Sequence, residues 1–338
     1  MKKIGITTTV PIEVLIAANY QPIDLNNVFV TSSNYQEYIE IAEREGFPKS
    51  SCAWIKGIYG VCIKEDINEI IGVMEGDCSN TKSLLEVLSL KGIKIHSFSF
   101  PHSHSLEDVT NEIQKFMKRF HVEETSVEKI RIQLKGVREK AKKIDELTYK
   151  ENKVSGFENH LYQISLSDCN GNVESFEQAL DDFIKQAQSR EKNCKSLRLA
   201  YIGVPPMTAD LYDYVENYDA QFVYNEVQRE FAFPRYDQAN TIFEQYYDYT
   251  YPYENDYRLA ELKKEISKRK IDAIIHYTQA FCHRAIEDIY LKNKLDIPIL
   301  HIEGDKINTL DARTKLRIEA FLDMILDTKG VKNESIRN

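Results

Sequence analysis

Residues 70–88 read IIGVMEGDCSNTKSLLEVL, and they contain the clearest strand-to-helix transition in the sequence. A short apolar, β-branched run leads into Glu75-Gly76-Asp77-Cys78, and a helical pattern of apolar residues follows at once. Cys78 therefore stands where a strand ends and a helix begins. Unpaired backbone N–H groups and the helix dipole favour negative charge at that point. A thiolate, or an anionic metal cluster bound to it, is stabilised there.

The same arrangement recurs around a second cysteine, Cys282. Residues 271–303, IDAIIHYTQAFCHRAIEDIYLKNKLDIPILHIE, again run from strand to cysteine to helix to strand. The next apolar pair lies 15 and 17 residues past the cysteine in both places: Ile93 and Ile95, then Ile297 and Ile299. One cysteine at a strand end says little, but two at matched positions indicate related segments.

A further repeat involves the first strand of each predicted half. Residues 3–27 (KIGITTTVPIEVLIAANYQPIDLNN) run strand, turn, helix and strand, and residues 197–226 (LRLAYIGVPPMTADLYDYVENYDAQFVYNE) follow the same order. A Val-Pro pair stands at the turn in both. Strands that alternate with helices are typical of parallel sheets covered by helices on both faces. The sequence therefore predicts an α/β fold with two related halves and mostly parallel sheets.

A helical segment is expected to join the two halves. Apolar residues recur at helical spacing along it, and residues 173–189 continue the pattern. Two earlier helical faces carry Val109, Ile113, Phe116 and Phe120, then Val127, Ile130, Leu134, Val137, Ala141 and Ile144. Thr125 and Glu128 have the spacing of a capping box, and the charged run 138–153 is expected to be solvated. The predicted division is 1–105, an N-terminal half; 106–195, the helical segment; and 196–338, a C-terminal half.

Composition narrows the class of protein. The chain has 338 residues and a formal net charge of −9, with both signs of charge mixed along it. No basic stripe appears, so nucleic acid is not an expected partner. Three threonines, Pro11 and Glu13 interrupt the apolar start, which is not typical of a signal peptide. No apolar stretch is long enough to span a bilayer, so we expect a cytoplasmic protein. Neither G-x-G-x-x-G nor G-x-x-x-x-G-K-S/T occurs, and no nucleotide site is expected.

The cysteines are the main candidates for chemistry: Cys52, Cys62, Cys78, Cys169, Cys194 and Cys282. In a cytoplasmic chain they are metal ligands, reactive thiols or buried apolar side chains rather than disulfides. Ligands bind beyond the carboxyl ends of strands in open α/β sheets. If the halves face each other across a pseudo-twofold axis, Cys78 and Cys282 converge and Cys52 supplies a third thiolate. Three thiolates hold three irons of a cubane cluster and leave the fourth open; a buried, functionless cysteine is the alternative at each position.

Other candidate residues have two interpretations each. Glu303 and Asp305 follow a predicted strand, where carboxylates either do acid–base work or cap the next helix and pair with Arg313. His283 beside Cys282 leaves a zinc site open as an alternative, although no C-x-x-C pair occurs. The tyrosine-rich run 246–257, YYDYTYPYENDY, either covers an apolar pocket or packs on the second half.

Four segments together resemble the 2-hydroxyacyl-CoA dehydratase D-component family: CAWIKGIYG, EGDCSNTKSLLEVL, FCHRAIEDI and IPILHIEGDKINTLDARTKLRIEAFLDMIL. The resemblance covers nearly the whole chain. It implies two flavodoxin-like domains with a 4Fe-4S cluster between them, held by Cys52, Cys78 and Cys282. It also implies that a separate ATP-hydrolysing iron–sulfur activator supplies a low-potential electron, which fits the missing nucleotide motif. In these dehydratases the electron makes a ketyl radical from a 2-hydroxyacyl thioester, and hydroxide leaves.

The resemblance leaves several points open. The dehydratases of the family consist of two related subunits, so either such a partner subunit or a homodimer is implied. The ITTTVP and DLNN segments make this chain more similar to the family's stand-alone members. Double-cubane members reduce small molecules and carry a further cysteine near the place of Cys62, which is therefore either a fourth ligand or a buried bystander. The expected function is radical dehydration of an acyl-CoA at the open iron. An activator-dependent reductase and a non-catalytic electron-transfer or cluster-carrying protein are the alternatives.

Overall fold

The computed structural model describes residues 1–226, 236–249, 252–304 and 309–337, with side chains in these ranges as far as residue 330. The chain forms two compact units. Unit 1 comprises Met1–Lys143, Tyr162–Ile184 and Gln228–Arg258, and unit 2 comprises Ile144–Leu161, Lys185–Val227 and Leu259–Asn338. The division into segments 1–105, 106–195 and 196–338 stays a prediction.

Strands and helices alternate in both sequence halves. The first sheet and its helices are β1 (Lys2–Ile6), α1 (Ile12–Ala17), β2 (Tyr20–Asp24), α2 (Leu25–Thr31), α3 (Tyr35–Glu45), α4 (Ala53–Lys64), β3 (Glu69–Glu75), α5 (Ser79–Leu90) and β4 (Lys94–Ser99). The helical segment contains α6 (Leu106–Arg119), α7 (Glu124–Tyr149), α8 (Gly156–Ile164), 3₁₀ turns at Ser165–Ser167 and Cys169–Gly171, and α9 (Val173–Gln188). The remaining elements are β5 (Leu197–Gly203), α10 (Leu211–Glu216), β6 (Ala220–Asn225), α11 (Ile242–Tyr247), α12 (Asn255–Arg269), β7 (Ala273–Gln279), α13 (Arg284–Lys294), β8 (Ile299–Gly304) and α14 (Ala312–Arg337). Among the described helices, none combines the length and apolar character needed to cross a membrane.

Each unit contains one sheet of four parallel strands. The strand order is β2-β1-β3-β4 in unit 1 and β6-β5-β7-β8 in unit 2. Both repeat the first four positions of the flavodoxin-like order, in which the second strand lies on one side of the first and the third on the other. These sheets confirm the predicted α/β fold with two related halves.

The strands are buried because helices cover both faces of a parallel sheet. All seven residues of β7 (AIIHYTQ) are buried, as are the first five of β3. The core of unit 2 gathers Tyr149, Ala200, Ile202, Val223, Tyr224, Leu259, Leu262, Ile271, Ile274, Leu291 and Leu295. The continuous apolar runs of the sequence thus form the central strands.

Two charges of the run 138–153 are buried, so the expectation of a solvated face was wrong there. Arg138 Nη2 donates to Glu13 Oε1 at 2.7 Å, inside unit 1. Asp145 accepts hydrogen bonds from both Nη atoms of Arg269, inside unit 2. Each side chain is buried because it has a buried partner of opposite charge, which a buried ion requires.

The predicted capping box at Thr125 and Glu128 was also wrong. Helix α7 begins at Glu124, so Thr125 lies within its first turn, and Val127 N donates to Glu123 O at 3.2 Å. Glu128 Oε1 instead accepts from Ile242 N at 2.6 Å. Glu128 therefore links α7 to the start of α11 rather than capping its own helix.

Candidate functional site

Each sheet has a switch point, where neighbouring strands connect in opposite directions. In unit 1 it lies between β1 and β3, and in unit 2 between β5 and β7. Ligands of open α/β sheets bind outside the carboxyl ends of the strands at such points. Cys78 lies three residues past the end of β3, and Cys282 lies three residues past the end of β7. Each unit therefore presents one of the predicted cysteines at its own switch point.

Cys78 is the last residue before α5. Its carbonyl oxygen accepts a hydrogen bond from Thr81 N at 3.0 Å, which starts the first turn of the helix. Gly76 has φ +89°, and a Cβ there would lie 2.9 Å from both Phe100 Cβ and Pro252 Cβ. Only glycine combines that backbone conformation with that close contact. Gly76 therefore fixes the path by which the chain reaches Cys78.

Cys52 also stands directly before a helix, α4. Residues Ala53–Cys62 are all buried, and Lys56 N donates to Cys52 O at 3.2 Å. A Cβ at Gly60 would lie only 2.2 Å from Tyr38 O, so α4 packs against the backbone of α3 at a distance that glycine alone permits. This packing holds the start of α4, and with it Cys52, in place.

The remaining cysteines occupy different environments. Cys62 is 1% exposed within α4, and burial raises the pKa of its thiol to about 12. Ten residues of helix separate it from Cys52, a rise of about 15 Å that is too long for both to bind one cubane cluster. The geometry thus favours the buried-bystander interpretation of Cys62. Burial also raises the pKa of the Cys169 thiol to about 12, whereas Cys194 is exposed.

Cys282 ends a tight turn that begins at Gln279. Cys282 N donates to Gln279 O at 3.1 Å, and Ala285 N donates to Cys282 O at 3.0 Å. Phe281, just before the cysteine, has φ +60° and is 82% exposed; this conformation is strained for a bulky residue. Burial raises the pKa of the Cys282 thiol, although backbone hydrogen bonds from Arg284 and Gln279 lower it.

The predicted acid–base pair is only partly described. Glu303 is the penultimate residue of β8 and is exposed, whereas Asp305 lies outside the described residues. The cap of α14 is Asp311, whose Oδ1 accepts a hydrogen bond from Thr314 N at 2.9 Å. Glu303 therefore does not cap that helix and stays a candidate for acid–base work. His283 is exposed beside Cys282.

The described residues of the tyrosine-rich run, 246–249 and 252–257, pack on the first half of the sequence, so the expectation that the run packs on the second half was wrong for them. The ring of Tyr249 stacks on Phe100 at 5.5 Å between centroids, and the ring of Tyr253 lies 3.8 Å from that of His104. Phe100 and His104 follow β4 in unit 1. The rings of Tyr249 and Tyr253 therefore pack against the loop that follows β4.

A buried ionic cluster that the sequence did not predict anchors the loop after β1. Glu13 lies in the first turn of α1, and its carboxylate accepts hydrogen bonds from Arg138 Nη2 at 2.7 Å, Gln245 Nε2 at 2.9 Å and Tyr246 Oη at 2.8 Å. Burial alone would raise the pKa of Glu13, but Arg138 and Gln245 outweigh it and the pKa is lowered. The cluster ties α1, α7 and α11 together within unit 1. Its only sequence signal is one acidic residue in the apolar segment 10–18.

The DLNN segment, residues 24–27, fastens the same loop. The Asp24 side chain caps α2, and Asn26 Nδ2 donates to Thr7 O at 2.8 Å. Asp24 N in turn donates to Asp168 Oδ2 at 2.9 Å. Burial and the neighbouring Asp24 carboxylate raise the pKa of Asp168 to about 7. Two carboxyl groups are therefore buried together beside the switch point of unit 1.

The Asp168 carboxyl predicts a specific dependence of stability on pH. An aspartate titrates near pH ~3.9 in an unfolded chain, so the folded state binds this proton more tightly. The stabilisation is complete below about pH 4 and is lost as pH rises through about 7. The free energy of unfolding of the parent, relative to Asp168→Asn, is expected to fall between about pH 4 and pH 7 and to level off above about pH 7.

Urea unfolding measures this difference through the fluorescence of Trp54, the single tryptophan of the chain, which lies in unit 1. The exposed Asp66 provides the control, because Asp66→Asn removes a solvated carboxylate and should leave the pH profile of the parent unchanged. A parent and an Asp168→Asn variant with parallel pH profiles would contradict the assignment.

The donors suit an iron–sulfur cluster in their chemistry and placement. Cys52, Cys78 and Cys282 are partly exposed. Cys52 and Cys78 directly precede a helix, and Cys282 lies two residues before one. Thiolates are the usual ligands of iron–sulfur clusters. In the ranges that the structure describes, no three His, Cys, Asp or Glu side chains are grouped to hold a metal ion. The residues present therefore suit an iron–sulfur cluster by the chemistry of their thiols and by the position of each thiol within its own unit.

The family model described as 2-hydroxyglutaryl-CoA dehydratase, D-component, matches residues 7–325. Comparison with curated proteins finds no match. The matched range includes all six cysteines and every strand of both sheets except β1, and it confirms the resemblance drawn from the four sequence segments. This chain belongs to the 2-hydroxyglutaryl-CoA dehydratase D-component family.

Proposed function

We propose that this chain is an iron–sulfur component of a 2-hydroxyacyl-CoA dehydratase, with Cys52, Cys78 and Cys282 as the ligands of a 4Fe-4S cluster. The observation that carries the proposal is the distinction among the cysteines. These three are partly exposed and lie one or two residues before a helix, whereas Cys62 and Cys169 are buried. Family membership supports the same assignment.

When bound, the cluster would supply a low-potential electron, and its iron without a cysteine ligand would act as a Lewis acid. The residues of the chain hold and orient it: the Cys282 sulfur receives backbone hydrogen bonds from Arg284 and Gln279, which favour its thiolate form. Glu303, with Asp305, is the proposed source of the proton for the departing hydroxyl group. Loss of water from a 2-hydroxyacyl-CoA gives a 2-enoyl-CoA without net oxidation or reduction, so the electron is returned after each turnover.

The electron is proposed to come from a separate ATP-hydrolysing iron–sulfur activator. A second copy of this chain or a related subunit completes the assembly, and the substrate is an acyl-CoA. We place the reaction in the cytoplasm, without nucleic acid or membrane as partners.

The test is a turnover assay under exclusion of oxygen. The chain is combined with ATP, a dehydratase activator and 2-hydroxyglutaryl-CoA or other 2-hydroxyacyl-CoA esters, and enoyl-CoA is measured by chromatography. We expect product only when activator and ATP are both present, and none with Cys78→Ser. CoA esters are also expected to raise the thermal unfolding temperature. Activator-dependent reduction of a small molecule without CoA-ester turnover would indicate the reductase instead, and transfer of the cluster to an acceptor protein without substrate binding would indicate a carrier.

A further inference from the structure

Gln279 is a buried glutamine, and one end of its side-chain amide makes no hydrogen bond to any residue that the structure describes. It is the last residue of β7 and the first residue of the turn that ends at Cys282. It is 1% exposed, and its Nε2 lies 3.3 Å from Tyr277 Oη. Its Oε1 has no hydrogen-bond partner among the described residues. A buried polar atom without a partner is costly and indicates a group that the described part of the chain does not supply.

The Tyr277 hydroxyl fixes the place of this amide. Met207 N, in the loop after β5, donates to Tyr277 Oη at 3.2 Å. A Cβ at Gly304 would lie only 2.1 Å from the same Oη, so the absence of a side chain at the end of β8 makes room for the hydroxyl. The Gln279 amide therefore lies at the carboxyl edge of the unit 2 sheet, at the switch point that also presents Cys282.

Either end of the amide can face the tyrosine. A hydroxyl group both donates and accepts, and the oxygen and nitrogen of a glutamine exchange places by rotation of the amide. With Oε1 toward Tyr277, the unused end is an NH₂ group with N–H donors. A metal-bound sulfur accepts such donors, and hydrogen bonds to sulfur stabilise the more negative, reduced cluster.

We propose that Gln279 is a positioning residue whose amide donates an N–H hydrogen bond to sulfur of the cluster bound at Cys282, and so raises the reduction potential of that cluster. This inference rests on the proposed function, since it requires a cluster at Cys282. In this proposal the three cysteine ligands retain the iron, and Gln279 adjusts the reduction potential of the cluster.

The experiment compares the parent with Gln279→Leu and Gln279→Glu after anaerobic reconstitution. Leucine removes both donors at similar volume, and glutamate keeps the length of the side chain while removing both N–H groups. The iron content and the midpoint potential are measured, the latter by EPR during a redox titration. Both variants are expected to bind as much iron as the parent and to show a midpoint potential shifted to more negative values.

The control is Gln221→Leu. Gln221 is a buried glutamine of the same unit, near the amino end of β6, and its Nε2 donates to Val154 O at 2.9 Å. It should leave the potential unchanged. A parent potential retained in iron-loaded Gln279→Leu and Gln279→Glu would overturn the role of Gln279 while leaving the cluster proposal intact. A parent that binds no iron would overturn both. If leucine prevents folding, the glutamate variant decides.

Discussion

Replacing Cys282 by serine is expected to remove most of the iron and acid-labile sulfide from the anaerobically purified chain. The same result is expected for Cys52→Ser and Cys78→Ser. A serine oxygen is a harder donor than a thiolate and loses its proton much less readily than a thiol does, whereas iron–sulfur clusters depend on soft, anionic sulfur ligands. All three positions lie one or two residues before a helix, so the substitution leaves the core of each unit unchanged. Iron and sulfide per chain are measured against a parent purified in parallel.

Two other cysteines provide matched controls. Cys194→Ser makes the same chemical change at an exposed position, and Cys62→Ala removes the buried thiol that lies about 15 Å along α4 from Cys52. Both variants are expected to keep the iron content of the parent. Unchanged iron and sulfide in Cys282→Ser would remove that residue from the ligand set. A large loss of iron in Cys62→Ala would instead bring Cys62 into the site.

The second large effect is expected at Arg269, in the core of unit 2. Its guanidinium group is buried. Nη1 donates a hydrogen bond to Asp145 Oδ1 at 2.7 Å, and Nε donates one to Glu265 Oε2. The Tyr149 ring lies 4.2 Å from the guanidinium carbon and adds a cation–π contact. Arg269→Met would remove the arginine that pairs with the buried Asp145 carboxylate, while Glu265 keeps an ion pair with Lys268, of 3.0 Å between Oε1 and Nζ. Such a loss costs about 3–5 kcal/mol of the free energy of unfolding.

Urea unfolding followed by circular dichroism measures this effect. The control is Lys150→Met, which breaks an exposed ion pair with Glu146, of 2.7 Å between Nζ and Oε1. An exposed pair contributes at most about 1 kcal/mol, so this variant should unfold almost as the parent does. An Arg269→Met variant as stable as Lys150→Met would show that the buried cluster contributes little.

The strands and the positions of two cysteines were predictable because their signals are local. The change from a β-branched run to helical spacing is contained in residues 70–88, and it recurs around Cys282. Strand, cysteine and helix therefore follow from each stretch by itself. Their repetition also predicted two parallel sheets, which the strand orders confirm.

The buried charges and the tyrosine-rich run were not predictable in the same way. Glu13 and Gln245 are hydrogen-bonded although 232 residues separate them in sequence. Arg138 resembles the solvated charges around it, and only tertiary packing gives it a buried partner. Gln279 likewise belongs to no sequence motif. Its proposed role depends on the burial of its amide, which only the folded structure shows. Pairings at such sequence distance leave no periodic signal for a single sequence to show.

The most direct test of the cysteine site is the iron and acid-labile sulfide content of the parent chain, purified without oxygen, together with EPR of the reduced protein. We expect about four irons and four sulfides per chain, with the EPR signal of a reduced 4Fe-4S cluster. About eight irons per chain would indicate the double-cubane reductase instead. Zinc, or no metal after anaerobic reconstitution, would contradict the assignment of Cys52, Cys78 and Cys282 as ligands of an iron–sulfur cluster.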